Sequence, residues 1–277
     1  MNLKANKSLG QNFLVDEKAR MRIAEAAGIK EGDVVVEIGP GTGLLTKELL
    51  KLPLKKLIAY EVDDRAVELL REEITDERFE VRSEDFLKAD ISLLKNEFST
   101  KLKVIGNIPY YITSPILFKL IEDRDHITDA TLLIQLEVAE RLTAEPRTKA
   151  YGIPTVLANF FGEVKFLFKV KAGCFRPVPN VDSALIKIDF GKDYFTRSQS
   201  NPPEGFEPKI FQNFVRTMFG MRRKMLRNNL KNFLTAEQLL LAPDNPATAP
   251  YLTMRAEELN VKEFLKFYNT IETLRKL

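Results

Sequence analysis

Asn107-Ile108-Pro109-Tyr110 carries the densest chemistry in this chain, inside a longer run from Lys103 to Pro115. Val104 and Ile105 read as the end of a buried strand, which Gly106 and Pro109 stop. Pro109 fixes its own φ and drives Ile108 toward an extended backbone. A loop of this kind turns the Asn107 amide and the Ile108 carbonyl toward one spot, with the Tyr110 ring beside it. These groups suit the exocyclic amino group of a flat base. They offer two acceptors for its two N–H bonds and an aromatic face for stacking. The plain alternative is a strand-to-helix turn with a packed tyrosine, and the stretch alone leaves both open.

A scaffold has to hold that loop against something. Val34-Val35-Val36-Glu37-Ile38 is a β-branched run of buried-strand type, followed by Gly39-Pro40-Gly41-Thr42-Gly43 and the amphipathic stretch Leu44–Leu50. Strand, glycine turn and helix make the first half of a nucleotide-binding βαβ unit. Gly39 and Gly41 let backbone approach a ligand that a Cβ would exclude. The second strand, Lys56–Tyr60, ends in Glu61, twenty-two residues after Gly39. A carboxylate there accepts from two ribose hydroxyls, an arrangement that NAD enzymes and methyltransferases share. The loop favours the methyltransferase. It reads E-x-G-x-G-x-G, not the G-x-G-x-x-G that cradles a pyrophosphate, and S-adenosylmethionine has no phosphate. After a third strand, Phe79–Arg82, Asp85 can accept from an adenine amino group while Phe86 covers the ring. The alternative for that pair is an N-capping aspartate beside a core phenylalanine.

The remaining elements complete an α/β domain. A helix opens after Asp16 and ends at Gly28, and Gln11 and Asn12 lie in the flexible segment before it. Thr131–Leu136 reads as strand five, with a surface helix from Glu137 and another helical stretch to Phe161. Glu163–Lys171 and Ser183–Phe190 read as two more strands. The loop between them, Gly173 to Asp182, is stiffened by Pro177 and Pro179. It could present Phe175 to the face of a base opposite Tyr110, or bury it in a hairpin. The expected organisation is a methyltransferase domain over 1–192, a polar linker over 193–207 and a small helical domain over 208–277.

Charge is divided unevenly between these parts. Residues 195–277 hold 13 Lys/Arg against 8 Asp/Glu, although the whole chain is only +3. Arg216, Arg222, Arg223, Lys224, Arg227 and Lys231 have no acid among them from Phe211 to Ala236. A solvated helix face usually carries acidic partners, so this run predicts a polyanion. Other classes are excluded. One cysteine (Cys174) and one histidine (His126) rule out a Cys/His zinc cluster, and no Cys–His pair has a nucleophile's spacing. A carboxylate-only metal site stays open but has no motif here, so no metal is expected. A lone cysteine forms no intrachain disulfide, no apolar run reaches about 18 residues, and the polar N-terminal stretch is unlike a signal peptide. A single chain acting in the cytoplasm, away from any membrane, is the expectation.

Ser8–Leu14, Glu37–Gly43, Glu61, Asp85-Phe86, Asn107–Tyr110, Phe175–Ser183 and Arg222–Leu230, in this order and spacing, resemble the ribosomal RNA adenine dimethyltransferase family over nearly the whole chain. The resemblance implies a Rossmann-like class I S-adenosylmethionine-dependent methyltransferase domain with a small C-terminal all-helical domain. It implies cofactor contacts at Gln11, Asn12, Leu14, Gly39, Glu61, Asp85 and Asn107. The target pocket it implies is Asn107, Ile108, Pro109, Tyr110 and Phe175, with RNA held by Arg222, Arg223, Lys224 and Arg227. Pro40 and the Arg-Arg-Lys…Leu-Arg-Asn run resemble the branch acting on small-subunit (16S) RNA. That branch converts two adjacent adenosines near the 3′ end to N6,N6-dimethyladenosine on the assembling 30S particle. Tyr111 and Met225 depart from the residues most expected, at positions that do not define the chemistry. Two alternatives carry through: the large-subunit (23S) methyltransferases of macrolide resistance, and an assembly factor that retains a cofactor pocket without turnover.

Overall fold

Val34–Ile38 is buried at every position, as a strand with parallel neighbours on both sides must be. The computed structural model describes residues 3–6 and 9–276. Ser8, the first residue of the matching motifs, lies outside them. The strands are β1 Phe13–Leu14, β2 Val34–Ile38, β3 Lys56–Glu61, β4 Phe79–Ser83, β5 Leu102–Asn107, β6 Ile127–Gln135, β7 Glu163–Val170, β8 Phe175–Arg176 and β9 Ser183–Asp189. Seven of them form one sheet in the order β4-β3-β2-β5-β6-β9-β7. β4, β3, β2, β5 and β6 are mutually parallel, and β9 pairs antiparallel with both β6 and β7. The order reverses between β2 and β5, which is where open α/β sheets bind ligands at the carboxyl ends of their strands.

The helices begin and end where side chains permit. Asp16 caps Glu17–Ala27 by accepting from the Ala19 N–H at 2.8 Å, and Gly28 closes it in the left-handed conformation. β6 starts four residues earlier than the apolar run suggests, because Ile127 and Ala130 are buried despite the polar residues between them. β1 and β8 form a separate two-stranded ribbon, with Phe13 opposite Arg176 and Leu14 opposite Phe175. Two residues per strand leave no alternation to read, so the pairing has no local signature.

The chain divides into two compact units: 1–140 with 162–192, and 141–161 with 193–277. The C-terminal unit takes in 193–207, and 141–161 goes with it instead of with the sheet. The cause is aromatic. Phe160, in the helix Ile153–Phe161, sits 4.2 Å from Phe211 and stacks on Tyr194 at 5.6 Å, ring centre to ring centre. The segment expected as a linker contributes to the same cluster. Tyr194–Ser198 is a short helix, and Phe195 and Phe206 pack on Phe160. In the same unit Pro208–Phe219 packs Phe211 and Phe214 against Tyr268 and Phe267 of Val261–Arg275.

Candidate active site

The carboxyl ends of β2, β3 and β5, with the segment before β1, wall a cavity of about 1040 Å³ including its open mouth. Gln11, Asn12, Leu14, Gly39, Gly41, Glu61, Asp85, Phe86, Asn107, Ile108, Pro109 and Tyr110 all line it. Gly39 has φ +66°, and a Cβ built there meets no atom within 4 Å, so the backbone borders open space. Gly41 differs: a Cβ would lie 2.8 Å from the Phe13 ring, so only glycine lets that ring close down.

Glu61 is buried at the tip of β3. Its Oε1 accepts from the Val62 and Asp63 N–H groups and its Oε2 from Gly41 at 3.0 Å. Burial pushes its pKa up, and those three backbone bonds oppose the rise. An oxygen accepting one bond keeps a second lone pair for a hydroxyl. Asp85 takes the capping role, with Oδ1 accepting from Leu87 at 3.0 Å, and the residue also lines the cavity. Phe86 is largely buried edge-on against Tyr60 and also lines the cavity.

Asn107 closes β5. Its Nδ2 donates to the Asn12 carbonyl at 2.9 Å, which assigns the amide and leaves Oδ1 as its acceptor. Ile108 is anchored by its N–H to the Leu133 carbonyl at 3.0 Å. The Tyr110 hydroxyl lies 3.0 Å from the Ser183 hydroxyl on β9, which pins the ring; burial raises its pKa and that bond opposes the rise. As a test of a stacking role for this ring, Tyr110→Ala is expected to cost about 10- to 100-fold in kcat/KM, the worth of one stacked base. Tyr110→Phe, which keeps the face and drops the hydroxyl, should cost only a few-fold. Equal losses in the two variants would show that the hydroxyl, not the ring face, matters.

Two expectations need correction. Phe175 is 1% exposed, does not line the cavity, and packs with Leu14, Ile23 and Leu133 in the core. Its pairing with Leu14 turns it inward, away from any base. Arg222 is not a free cation. Its Nε donates to Glu257 at 2.9 Å and its Nη2 to the Lys149 and Tyr151 carbonyls at 2.6 and 3.1 Å. It braces the loop at 148–151 against the basic turn. Buried Asn229 holds the same turn by accepting from the Met221 N–H and donating to the Met218 carbonyl. Arg223, Lys224 and Arg227 are exposed.

Glu37 is a functional candidate that residue types alone did not single out. It lines the cavity from β2, is fully buried, and its Oε2 has no partner among the described residues. Burial pushes its pKa up to about 8; the Thr46 hydroxyl opposes the rise and the Glu61 carboxylate adds to it. A burial signal of this kind is invisible in a strand whose other residues are all apolar.

A model of the ribosomal RNA adenine dimethylase family matches residues 2–273. The chain belongs to that family. It is 41% identical over 268 residues to the ribosomal RNA small subunit methyltransferase A of Chlorobium phaeobacteroides strain BS1, covering 97% of this chain and 94% of that one. The namesake from Clostridium botulinum strain Loch Maree is 40% identical over 271 residues, covering 97% and 94%. Among solved structures, a dimethyladenosine transferase from Plasmodium falciparum superposes with a TM-score of 0.75 at 27% identity, over 95% of this chain and 98% of that one. The 23S rRNA methyltransferase ErmE gives 0.67 at 29% identity, over 94% and 100%. This dimethylase is therefore an S-adenosylmethionine-dependent enzyme acting on adenine in ribosomal RNA, with the class I methyltransferase fold. Its cavity has room for such a cofactor beside Gly39, with the buried carboxylate of Glu61 and the Asp85 side chain in its wall.

Proposed function

We propose that this dimethylase modifies two adjacent adenosines near the 3′ end of small-subunit (16S) RNA, on the assembling 30S particle in the cytoplasm. Identities near 40% over almost the full length to small-subunit methyltransferases support this choice over the large-subunit branch. For the site, the observation that carries the reading is the bond from Asn107 Nδ2 to the Asn12 carbonyl. It engages one of the two Nδ2–H donors and fixes the amide with Oδ1 left as its acceptor.

When bound, S-adenosylmethionine supplies an electrophilic methyl group on a sulfonium. Asn107 Oδ1 and the Ile108 carbonyl accept from the two N–H bonds of the flipped adenine. That draws the nitrogen lone pair out of conjugation with the ring and makes it nucleophilic. Tyr110 holds the base by its face, so attack proceeds from a fixed geometry. The nitrogen would take the methyl as the sulfonium's carbon–sulfur bond breaks, with neutral S-adenosylhomocysteine leaving, and the cationic nitrogen would release its proton to water. No side chain has to act as a strong base.

Arg223, Lys224 and Arg227 are the proposed phosphate contacts. Replacing all three with Ala should reduce the slope of log K against log salt by about 2 to 3. Arg222→Ala should instead lower thermal stability, because it cuts the brace to Glu257 and Lys149. An unchanged salt slope in the triple variant returns the run to a solvated surface. Substrate choice is tested by offering labelled S-adenosylmethionine with undermethylated small subunits or with naked large-subunit RNA. Label is expected in the former, and label only in the latter moves the enzyme to the large-subunit branch.

A further inference from the structure

Both ends of the Gln11 side chain are engaged by protein. Its Oε1 accepts from the Asn6 N–H at 2.8 Å, and its Nε2 donates to Asp63 Oδ2 at 2.9 Å. Asp63 is buried and stiffly held. Arg65 grips it through Nε at 2.8 Å and Nη2 at 2.6 Å, and that contact, ahead of the bond from Gln11, depresses its pKa. It therefore stays an ionised acceptor. The next residue along the chain, Asn12, gives its carbonyl to Asn107. Phe13 lies over Gly41, and Leu14 pairs with Phe175. Successive residues of this segment are thus tied to β3's exit, to the end of β5 and to β8.

An asparagine amide turns easily about its last torsion. Without a carbonyl facing Nδ2, the Asn107 amide can rotate and present a donor where the base also presents donors. We propose that Asp63 is a positioning residue for Asn107: by anchoring Gln11 it fixes the segment whose Asn12 carbonyl keeps the Asn107 amide turned for catalysis. This rests on the reading of Asn107 as the acceptor for the adenine amino group. The link is separable from the ribose site, because Asp63 meets Glu61 through its backbone N–H at 3.0 Å, which substitution of the side chain spares.

Asp63 also caps the helix Asp64–Glu73, accepting from the Arg65 N–H at 3.2 Å. Asp63→Ser keeps a capping oxygen but is too short for Gln11. That variant, Gln11→Ala and the double variant are compared in two measurements. One is the Kd for S-adenosylhomocysteine by calorimetry, and the other is kcat on undermethylated small subunits. Each single variant is expected to lose about tenfold in kcat, with Kd within about twofold in Asp63→Ser, and the double variant to lose no more kcat than either, because both cut one link. A reversed pair provides rescue. Gln11→Glu alone sets two carboxylates against each other, and adding Asp63→Asn supplies the donor for the new acceptor, so kcat should recover. Wild-type kcat in both single variants overturns the proposal. So does a Kd raised in Asp63→Ser in step with its loss of kcat, which places the effect in the cofactor site. Asn107→Ala, run alongside, separates the failures: full turnover there removes the reading of Asn107 itself, whereas loss there with intact single variants defeats the positioning role alone.

Discussion

Asn107→Ala loses about 10²- to 10³-fold in turnover while RNA binding is retained, on the scale measured when one preorganised polar group is removed from an active site. Two effects combine. The variant removes the acceptor for the amino group, and it leaves the Asn12 carbonyl without its donor. The first acts on the nitrogen's nucleophilicity. The second loosens the segment that walls the cavity. RNA affinity is expected to persist because the proposed phosphate contacts, Arg223, Lys224 and Arg227, belong to the other compact unit. Single-turnover methyl transfer and filter binding on one preparation check both halves. Retained turnover would place the chemistry away from Asn107.

Glu37→Gln makes the unliganded protein more stable near pH 8 and flattens its pH dependence. The folded carboxyl has its pKa at about 8 against an ordinary value of 4.5. Between these two values the unfolded chain is ionised while the folded one holds its proton. The native state binds more protons than the unfolded state there, so stability falls as pH rises through that window. The slope is about 1.4 kcal/mol per pH unit, and the span amounts to on the order of 5 kcal/mol. Gln has no proton to lose. Urea unfolding at pH 5, 6.5 and 8 should show wild type weakening and the variant holding level. Cofactor affinity should move in the opposite sense. An ionised carboxylate at the cavity wall favours a cationic ligand, so wild-type affinity for S-adenosylmethionine rises toward pH 8. In Glu37→Gln it should be weaker and insensitive to pH. Parallel pH profiles for the two proteins would mean that Glu37 is charged throughout.

The elements that position the site were legible because their signals are local. A β-branched run, a glycine turn and an acid at the next strand's tip declare β2, its turn and β3 within thirty residues. Asn107, Ile108, Pro109 and Tyr110 follow from one stop signal at the end of β5. The site's finer arrangement was hidden where it depends on partners far apart in sequence. Phe175 reads as a rigid loop aromatic, but its burial follows from a two-residue pairing with Leu14, about 160 positions away. Arg222 belongs by type to a cationic run, and only Glu257 and the loop at 148–151 reveal it as a brace. Asp63 looks like an ordinary helix cap, a role it does fill, and its hold on Gln11 spans 52 residues. The helix Ile153–Phe161 reads as part of the sheet domain by its position in the chain, yet Phe160 commits it to the aromatic cluster of the C-terminal unit. In each case short-range pattern gives the element and long-range packing gives its task.

The measurement that bears most directly on the central claim counts methyl groups. Small subunits lacking the dimethyladenosines are incubated with tritiated S-adenosylmethionine to completion, and the RNA is then digested to nucleosides. The expected result is about four methyl groups per particle, two on each of two adenosines, all recovered as N6,N6-dimethyladenosine at the exocyclic nitrogen that base flipping exposes. Cofactor and particle binding without label in any nucleoside would contradict the account and leave an assembly factor in its place.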